Sequence, residues 1–426
     1  MRFAFITDEL PRPGLAGHLA FNHAVIEWLR GSGHEVVVLL VKPRLRLPVE
    51  RYDVAPVEGL GLTVWGRHVV AAAPRDAARI LAKYVAGRLP VWLGAVLRRG
   101  GRAGRYGSAD TVLGSFVTMA EQKWVAARVG RLRPDAVLVD TVFRAAVLRE
   151  PQLAGLNSVI LAHDVFFMRH RAMAAAGYRV HPAVLTREME AELLSFARCI
   201  AASQPEEADL IRQMCPERVV CTSPLPALPN PRPAGVERLA DRLVFVGSDA
   251  LPNLDGLRWF LAEIWPRLRI WRSTLTLDVV GDCGRSIAEW PEGVHRLGRV
   301  KDFSPVLHRA SLAIAPLRIG SGLKIKLLDY ARHGLMTVAT PASVQGFAQD
   351  RAAPFVVAAD AVSFAVAVAD RLRRLQPLAD ERRALDYVTR YYGVQSSFGG
   401  LETALGLQSS VVSRQEQSDG LRPHPP

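Results

Sequence analysis

The stretch PLRIGSGLKIKLLDYARHG, Pro316 to Gly334, places glycines, two lysines and an aspartate directly after an apolar run, SLAIAP at 311–316. Glycines at 320 and 322 let backbone N–H groups approach an anion closely, and the start of a following helix adds a favourable dipole. With a helix beginning near Ser321, residues Gly322, Lys326 and Asp329 fall at i, i+4 and i+7 and share one face. Lys326 then neutralises a phosphate while Asp329 accepts hydrogen bonds from ribose hydroxyls. That is the chemistry of a nucleotide-diphosphate site. The same spacing also suits a glycine turn followed by lysines whose stems lie along apolar surface. It is neither a Walker A loop nor a G-x-G-x-x-G fingerprint.

A second candidate lies in LAHDVFFMRH, 161–170, where His163 and Asp164 stand just past another apolar run. A lone histidine there is more often structural than functional, and nothing in the residues alone fixes the direction of Arg169 or His170. In SQPEEADLIRQ, Glu206 and Glu207 read as the start of a capped helix. No paired carboxylates stand out, and no D-x-D-type acidic pair sits at a strand end. Neither a catalytic metal nor a resident cofactor is expected. The four cysteines (Cys199, Cys215, Cys221, Cys283) have no C-x-x-C spacing, which argues against a zinc site or a disulfide framework and fits a reducing compartment.

These residues need elements to hold them. Apolar runs alternate with helical patterns: RFAFIT (2–7), EVVVLLV (35–41), AVLVD (136–140), SVILA (158–162) and CIAAS (199–203), then LVFVG (243–247), TLTLDVVG (274–281), SLAIAP, MTVAT (336–340) and PFVVA (354–358). Near-continuous apolar strands between helices predict parallel sheets covered on both faces. The proline-rich CTSPLPALPNPRPAG, 221–235, separates the two series and cannot continue a sheet or a helix. The reading is an α/β chain of two doubly wound, Rossmann-like domains. The first spans 1–222, the linker 223–235 and the second 236–385. A terminal helical stretch, 386–407, is expected to return to the first domain, and a polar tail, 408–426, to be disordered.

The chain of 426 residues carries a formal charge of +13, which favours an anionic partner. Nucleic acid is not expected, because the basic residues are scattered and no recognition motif accompanies them. Only VAGRLPVWLGAVLRRGGRAGRYG, 85–107, concentrates charge, setting five arginines beside Trp92 and several leucines. It reads either as a solvated surface insertion, within about 60–125, or as a contact with an anionic membrane surface. The N-terminus lacks the apolar core of a signal peptide and no run reaches the ~18 residues of a spanning helix. A cytoplasmic protein is expected, peripheral at the inner face of the membrane if the second reading of 85–107 holds.

The sequence resembles the large retaining family 4 of GT-B glycosyltransferases. PLRIGSGLKIKLLDYARHGLMTVAT is similar to that family's C-terminal signature. LVFVGSDALPNLDGLRWFLAEIWPRL (243–268), LDVVGDCG (277–284) and VHRLGRVKDFSPVLHRASLAIAPL (294–317) look like its preceding units, and GHLAFNHAVIEWLRGSGHEVVVL resembles its N-terminal entry. The resemblance is strong over 240–350, weaker over 1–40 and 155–210, and absent over about 60–125.

It implies a GT-B fold whose two domains face each other across a cleft, and a site residue by residue. Asp329 takes the place of the second glutamate of the family's E-x7-E motif, which binds ribose. Ser321 stands at the first glutamate, leaving the amides of the Gly320–Gly322 turn to meet the donor. Gly247 and Ser248 end the first strand of the second domain near the expected diphosphate. The family's Arg-x5-Lys pair is missing from SDALPNLDG, so Lys326, with Lys324 or Arg318, would supply the positive charge. Val300 falls where the family packs the base, Gly17 at the second of its paired glycines, and His163 where a histidine meets the donor sugar. Arg299 and Lys301 read as solvated.

The implied activity is retaining transfer of a sugar from a nucleotide-diphosphate donor to a glycan or lipid-linked acceptor in cell-surface polymer synthesis, with His163 and Lys326 as the catalytic pair. The departing diphosphate itself would help deprotonate the acceptor. A non-catalytic sugar-nucleotide or glycan-binding protein of the same fold is the alternative. An epimerase or phosphorylase would need acid/base carboxylates or a pyridoxal lysine, and neither is evident.

Overall fold

The computed structural model describes residues 1–13, 17–86, 110–175, 177–320, 323–348 and 350–407. The chain divides into two compact units: Met1–Ser223 together with the chain from Phe398 onward, and Pro224–Ser397.

The first unit is built on a seven-stranded parallel sheet. Its members are β1 (Arg2–Thr7), β2 (Glu35–Leu40), β4 (Val57–Gly59), β8 (Ala136–Asp140), β9 (Asn157–Ala162), β11 (Cys199–Ala202) and β12 (Val219–Thr222), in the order β12-β11-β9-β8-β1-β2-β4. Residues alternate between faces. Ala4, Ile6, Val137, Val139 and Ile160 pack on one side with Val125 and Val129 of helix Met119–Leu132. That helix is started by a capping box between Thr118 and Glu121. A small antiparallel sheet joins β3 (Val49–Arg51), β6 (His68–Ala71) and β5 (Leu62–Trp65), and β7 (Asp110–Val112) pairs with β10 (Arg179–His181). The basic stretch of 85–107 and the 408–426 tail lie almost wholly outside the described residues, which reach only Val85 and Ala86 of the former.

The second unit carries a six-stranded parallel sheet of β13 (Arg242–Val246), β14 (Thr276–Val280), β15 (Val294–Gly298), β16 (Leu312–Ala315), β17 (Thr337–Ala339) and β18 (Phe355–Val357). Their order is β15-β14-β13-β16-β17-β18. Leu243 and Phe245 pack with Leu257, Phe260 and Phe364 on one face, whereas Val244 packs with Tyr330 and Leu307 on the other. Both faces are therefore dry, as runs of consecutive apolar residues require.

All ten apolar runs are strands. Three further strands of the two parallel sheets, β4, β12 and β15, are edge strands with half-exposed sequences such as VHRLG, and an apolar-run criterion passes over them. The proline-rich segment packs on the second unit: the Ala227 N–H donates to Tyr392 O at 2.8 Å and that of Asn230 to Arg332 O at 2.7 Å. The return of the chain begins later than 386. Helix Pro377–Tyr392 stays with the second unit, because Tyr387, Val388 and Tyr392 are buried against Leu327, Leu328 and Phe355. Helix Val394–Leu405 then brings Phe398 against Trp28, ring centroids 4.8 Å apart, and the carbonyl of Ala404 to the Asn157 amide at 3.0 Å.

Candidate functional site

In each sheet the strand order reverses once, and the loops on either side of the reversal part at the carboxyl ends of the strands, where open parallel sheets bind ligands. In the second unit the reversal lies between β13 and β16. Gly247 and Ser248 follow β13, and Pro316–Gly320 follow β16. Gly320 has φ +122, a conformation open to glycine. The helix opens at Ile325, not near Ser321. Glycine has poor helix propensity, and Lys324 just before the helix is non-helical (φ −86, ψ 88). Lys326 and Asp329 then stand three residues apart on helix Ile325–Arg332, which still puts them on one face.

The lysine is held by neighbours that the sequence reading did not single out. Its Nζ donates to Asn253 Oδ1 at 2.6 Å and sits 4.2 Å from the centroid of the Phe245 ring. Asn253 in turn donates to Ser248 O at 2.9 Å and Ser248 Oγ at 3.2 Å. Burial pulls the ammonium down to about 7 and pushes the Asp329 carboxyl up to about 6. The helix itself is anchored by Tyr330, fully buried, whose hydroxyl accepts the Val246 N–H at 2.7 Å.

Beyond the carboxyl ends of β14 and β15 opens a pocket of about 450 Å³ lined by Gly281, Asp282, Arg285, Arg296, Gly298 and Arg299, among others. Asp282 holds two of its arginines, Arg285 at 3.1 Å and Arg299 at 2.5 Å. Arg299 thus lines the pocket while its side chain stays largely exposed, solvated as expected. Val300 is half-buried and packs against the cluster of Val244 and Tyr330.

In the first unit the reversal lies between β1 and β8. Ile6 is opposite Val139 and Asp140 opposite Leu161, so this register carries Thr7, Asp140 and His163 to one end of the sheet. The His163 Nε2–H donates to Asp140 Oδ1 at 2.9 Å, and Thr7 Oγ1 donates to Asp140 Oδ2 at 2.6 Å. Arg144 is buried beside them, paired with Asp8 and donating to Thr141 Oγ1 at 2.5 Å. His18, in the first turn of helix Gly17–Gly31, and Phe21 on the same helix meet the His163 ring edge-on, centroids 5.8 and 5.4 Å away. Burial raises the Asp140 pKa, but the hydrogen bond from His163 and the charge of Arg144 outweigh it and hold the carboxyl well below the usual range. Burial also takes His18 down to about 4, leaving it neutral. The turn carrying His163 is pinned from behind: Glu190 accepts the N–H groups of Phe166 and Phe167 at 2.9 and 2.6 Å.

The structure thus places Gly247, Ser248, Gly320, Lys326 and Asp329 around the reversal of the second unit. His163 lies at that of the first, and Gly17 begins the helix carrying His18. Ser321 and Gly322 lie outside the described residues. Arg318 is not a free cation: its guanidinium grips Asp255 through two bonds of 2.5 and 3.0 Å. Lys324 reaches back to Gly320 O at 3.4 Å. Arg169 and His170 are engaged locally, with Asp164 at 3.1 Å and with Pro182 O at 3.2 Å. The sequence reading missed Asn253, Asp8, His18, Asp140 and Arg144, and it saw no convergent carboxylates where Asp8, Glu9 and Asp140 in fact lie together. Position at the end of an apolar run or just past it, the signal used for His163, also marks Asp140 and Asp8. Among the described residues no group of three His, Cys, Asp or Glu side chains could hold a metal ion.

Residues 240–374 match the family model described as Glycosyl transferases group 1. The chain carries a group 1 glycosyltransferase domain. No curated protein matches the sequence. Among solved structures, the sucrose-phosphate synthase of Thermosynechococcus elongatus superposes with a TM-score of 0.60 at 12% identity, over 98% of this chain and 100% of that one. Anabaena HepE, crystallised with UDP, gives 0.59 at 12% identity, over 95% and 100%. WaaG, a glycosyltransferase involved in lipopolysaccharide biosynthesis, gives 0.57 at 15% identity, over 96% and 100%. At such identities the likeness is one of fold, and the fold is GT-B: two Rossmann-like domains on parallel sheets.

Proposed function

We propose that the protein is a retaining glycosyltransferase of family 4, moving a sugar from a nucleotide-diphosphate donor to a glycan or lipid-linked acceptor in cell-surface polysaccharide or glycolipid synthesis. The observation that carries this reading is the pairing of Lys326 with Asp329 on one helix face at the strand reversal of the group 1 domain. Lys326 and the backbone amides of Gly247, Ser248 and Gly320–Gly322 neutralise the leaving diphosphate, and Asp329 accepts the ribose hydroxyls. The base occupies the pocket beside Val300. HepE was crystallised with UDP and with UDP-glucose, which makes uridine donors the first class to try.

Retention is supported by the state of the carboxylates in the first unit. Both oxygens of Asp140 are occupied by hydrogen bonds, and Asp8 is paired with Arg144. Asp140 is not placed as a free nucleophile or base, and in this reading the departing phosphate takes the acceptor's proton on the face it leaves. His163 serves the donor sugar.

A lipid-linked acceptor implies a cytoplasmic enzyme docked on the inner face of an anionic membrane. Helix Pro74–Ala86 supports this: Ala78, Leu81, Ala82 and Val85 form an exposed stripe at helical spacing, with Arg75 and Arg79 exposed alongside and the basic 87–107 stretch next in sequence. Among the described residues, no helix is long and apolar enough to cross a membrane.

The test is a panel of nucleoside diphosphates and their sugars, read by thermal shift and by release of the nucleoside diphosphate, on wild type, Lys326→Ala and Asp329→Ala. One diphosphate series should raise the melting temperature of the wild type alone, with slow donor hydrolysis. Binding without any hydrolysis or transfer would favour the non-catalytic binding protein, and no shift with any donor would overturn both readings.

A further inference from the structure

We propose that Asp140 is the positioning residue of the first unit's site, fixing the His163 ring so that Nδ1 is presented to a hydroxyl of the donor sugar. The inference rests on the donor reading above, but its geometry does not.

Asp140 is clamped from both sides by neighbouring strands. Thr7 at the end of β1 donates to one oxygen and His163 just past β9 donates to the other. A carboxylate held at both oxygens cannot swing, so the imidazole it holds cannot flip. The backbone at this point is strained to suit. Thr141, the next residue, has φ 64 and ψ 163, a region populated almost wholly by glycine. Arg144 holds it there through Thr141 Oγ1 and is itself fixed on Asp8. Such strain persists only where the surroundings over-determine it, and it collects at working sites.

The consequence for His163 is a defined tautomer. With the Nε2 proton committed to Asp140, the neutral ring keeps its lone pair on Nδ1, which has no hydrogen-bond partner among the described residues. A sugar hydroxyl can donate to that nitrogen, and the carboxylate behind the ring balances the positive character that grows there. The edges of His18 and Phe21 hold the ring plane. The other charged groups around the pair are Asp8 and Glu9 after β1, Arg44 after β2, which pairs with Glu9 at 3.7 Å, and Arg144. His18, neutral at working pH, adds no charge.

The test combines NMR with a double-mutant cycle on the full-length chain. Histidine-labelled wild type should show a low-field Nε2 proton for His163, assigned by its loss in His163→Ala and lost also in Asp140→Asn. With the donor found in the panel, Asp140→Asn should lower kcat by about 10- to 100-fold, the range seen when the carboxylate behind a metal-bound histidine is removed, with KM little changed. His163→Ala should lose at least as much. The double variant should be no worse than His163→Ala alone, because Asp140 acts only through that ring. Losses that multiply in the double variant, with all variants melting within a few degrees of wild type, would mean that Asp140 acts apart from the His163 ring and sink the proposal. Should the wild type turn over no donor, the donor reading fails by itself. The proton then decides the pairing: absent from wild type, or retained in Asp140→Asn, it overturns this inference too.

Discussion

Lys326 Nζ donates to Asn253 Oδ1 at 2.6 Å, although the two residues lie 73 positions apart. The bond ties the helix after β16 to the helix after β13 across the strand reversal. It gives a partly buried ammonium one neutral partner and no described anion, an arrangement suited to receiving a phosphate. Replacing Lys326 by Ala should weaken nucleoside diphosphate binding by about 10- to 100-fold, the worth of one or two charge-assisted hydrogen bonds. Lys326→Met should bind as poorly as Lys326→Ala while melting near wild type, because a thioether fills the stem's place without a desolvated charge. Titration calorimetry reads the first and a thermal melt the second.

The pH dependence of that binding follows from two displaced groups. Asp329 must be ionised to accept ribose hydroxyls, and its pKa of about 6 means that capacity is lost as pH falls through about 6. Lys326 must be charged to meet phosphate, and its pKa of about 7 means the charge is lost as pH rises through about 7. Affinity should therefore peak between about pH 6 and about pH 7, and binding on the alkaline side should take up a proton. Calorimetry in two buffers of different ionisation enthalpy measures the uptake directly; equal heats in both would remove Lys326 from phosphate recognition.

Tyr330→Phe isolates a structural debt of the same helix. The phenol accepts the Val246 N–H at 2.7 Å, and its loss leaves a backbone donor without that partner. The variant should lose about 1–3 kcal/mol in urea denaturation of the second unit, with donor binding otherwise intact.

Gly281 separates crowding from backbone preference. It has φ +100, and a Cβ there would stand 2.2 Å from the Gly247 carbonyl oxygen; Gly298, at φ +66, faces open space. Gly281→Ala should cost about 2–4 kcal/mol and disturb the turn beside the donor site. Gly298→Ala should cost about 1 kcal/mol. Equal denaturation midpoints for the two would show that the carbonyl yields freely.

Membrane docking is checked by sedimentation with vesicles. Leu81 and Val85 are about half exposed on helix Pro74–Ala86, and each should contribute about 1 kcal/mol when it enters an interface. Leu81→Ser with Val85→Ser should lower binding to anionic vesicles by at least about tenfold, and high salt should weaken the wild type. Equal binding to neutral and anionic vesicles at low salt would remove the electrostatic component.

Much of this molecule was legible along the chain. Runs such as AVLVD and LVFVG are strands because a residue buried on either face of a sheet must be apolar. Lys326 and Asp329 are near neighbours in sequence, so their common face survived a helix start four residues later than expected. Edge strands such as VHRLG escaped notice because water on one side relaxes that demand. The Asp140–His163 pair, 23 residues apart, and the Lys326–Asn253 bond, 73 apart, could not be read from spacing at all. Local periodicity sets what each element is, but the hydrogen-bond register of parallel strands and the order in which they lie decide which strand ends meet. Those are properties of the assembled sheet, and the chemistry of both units sits at strand ends.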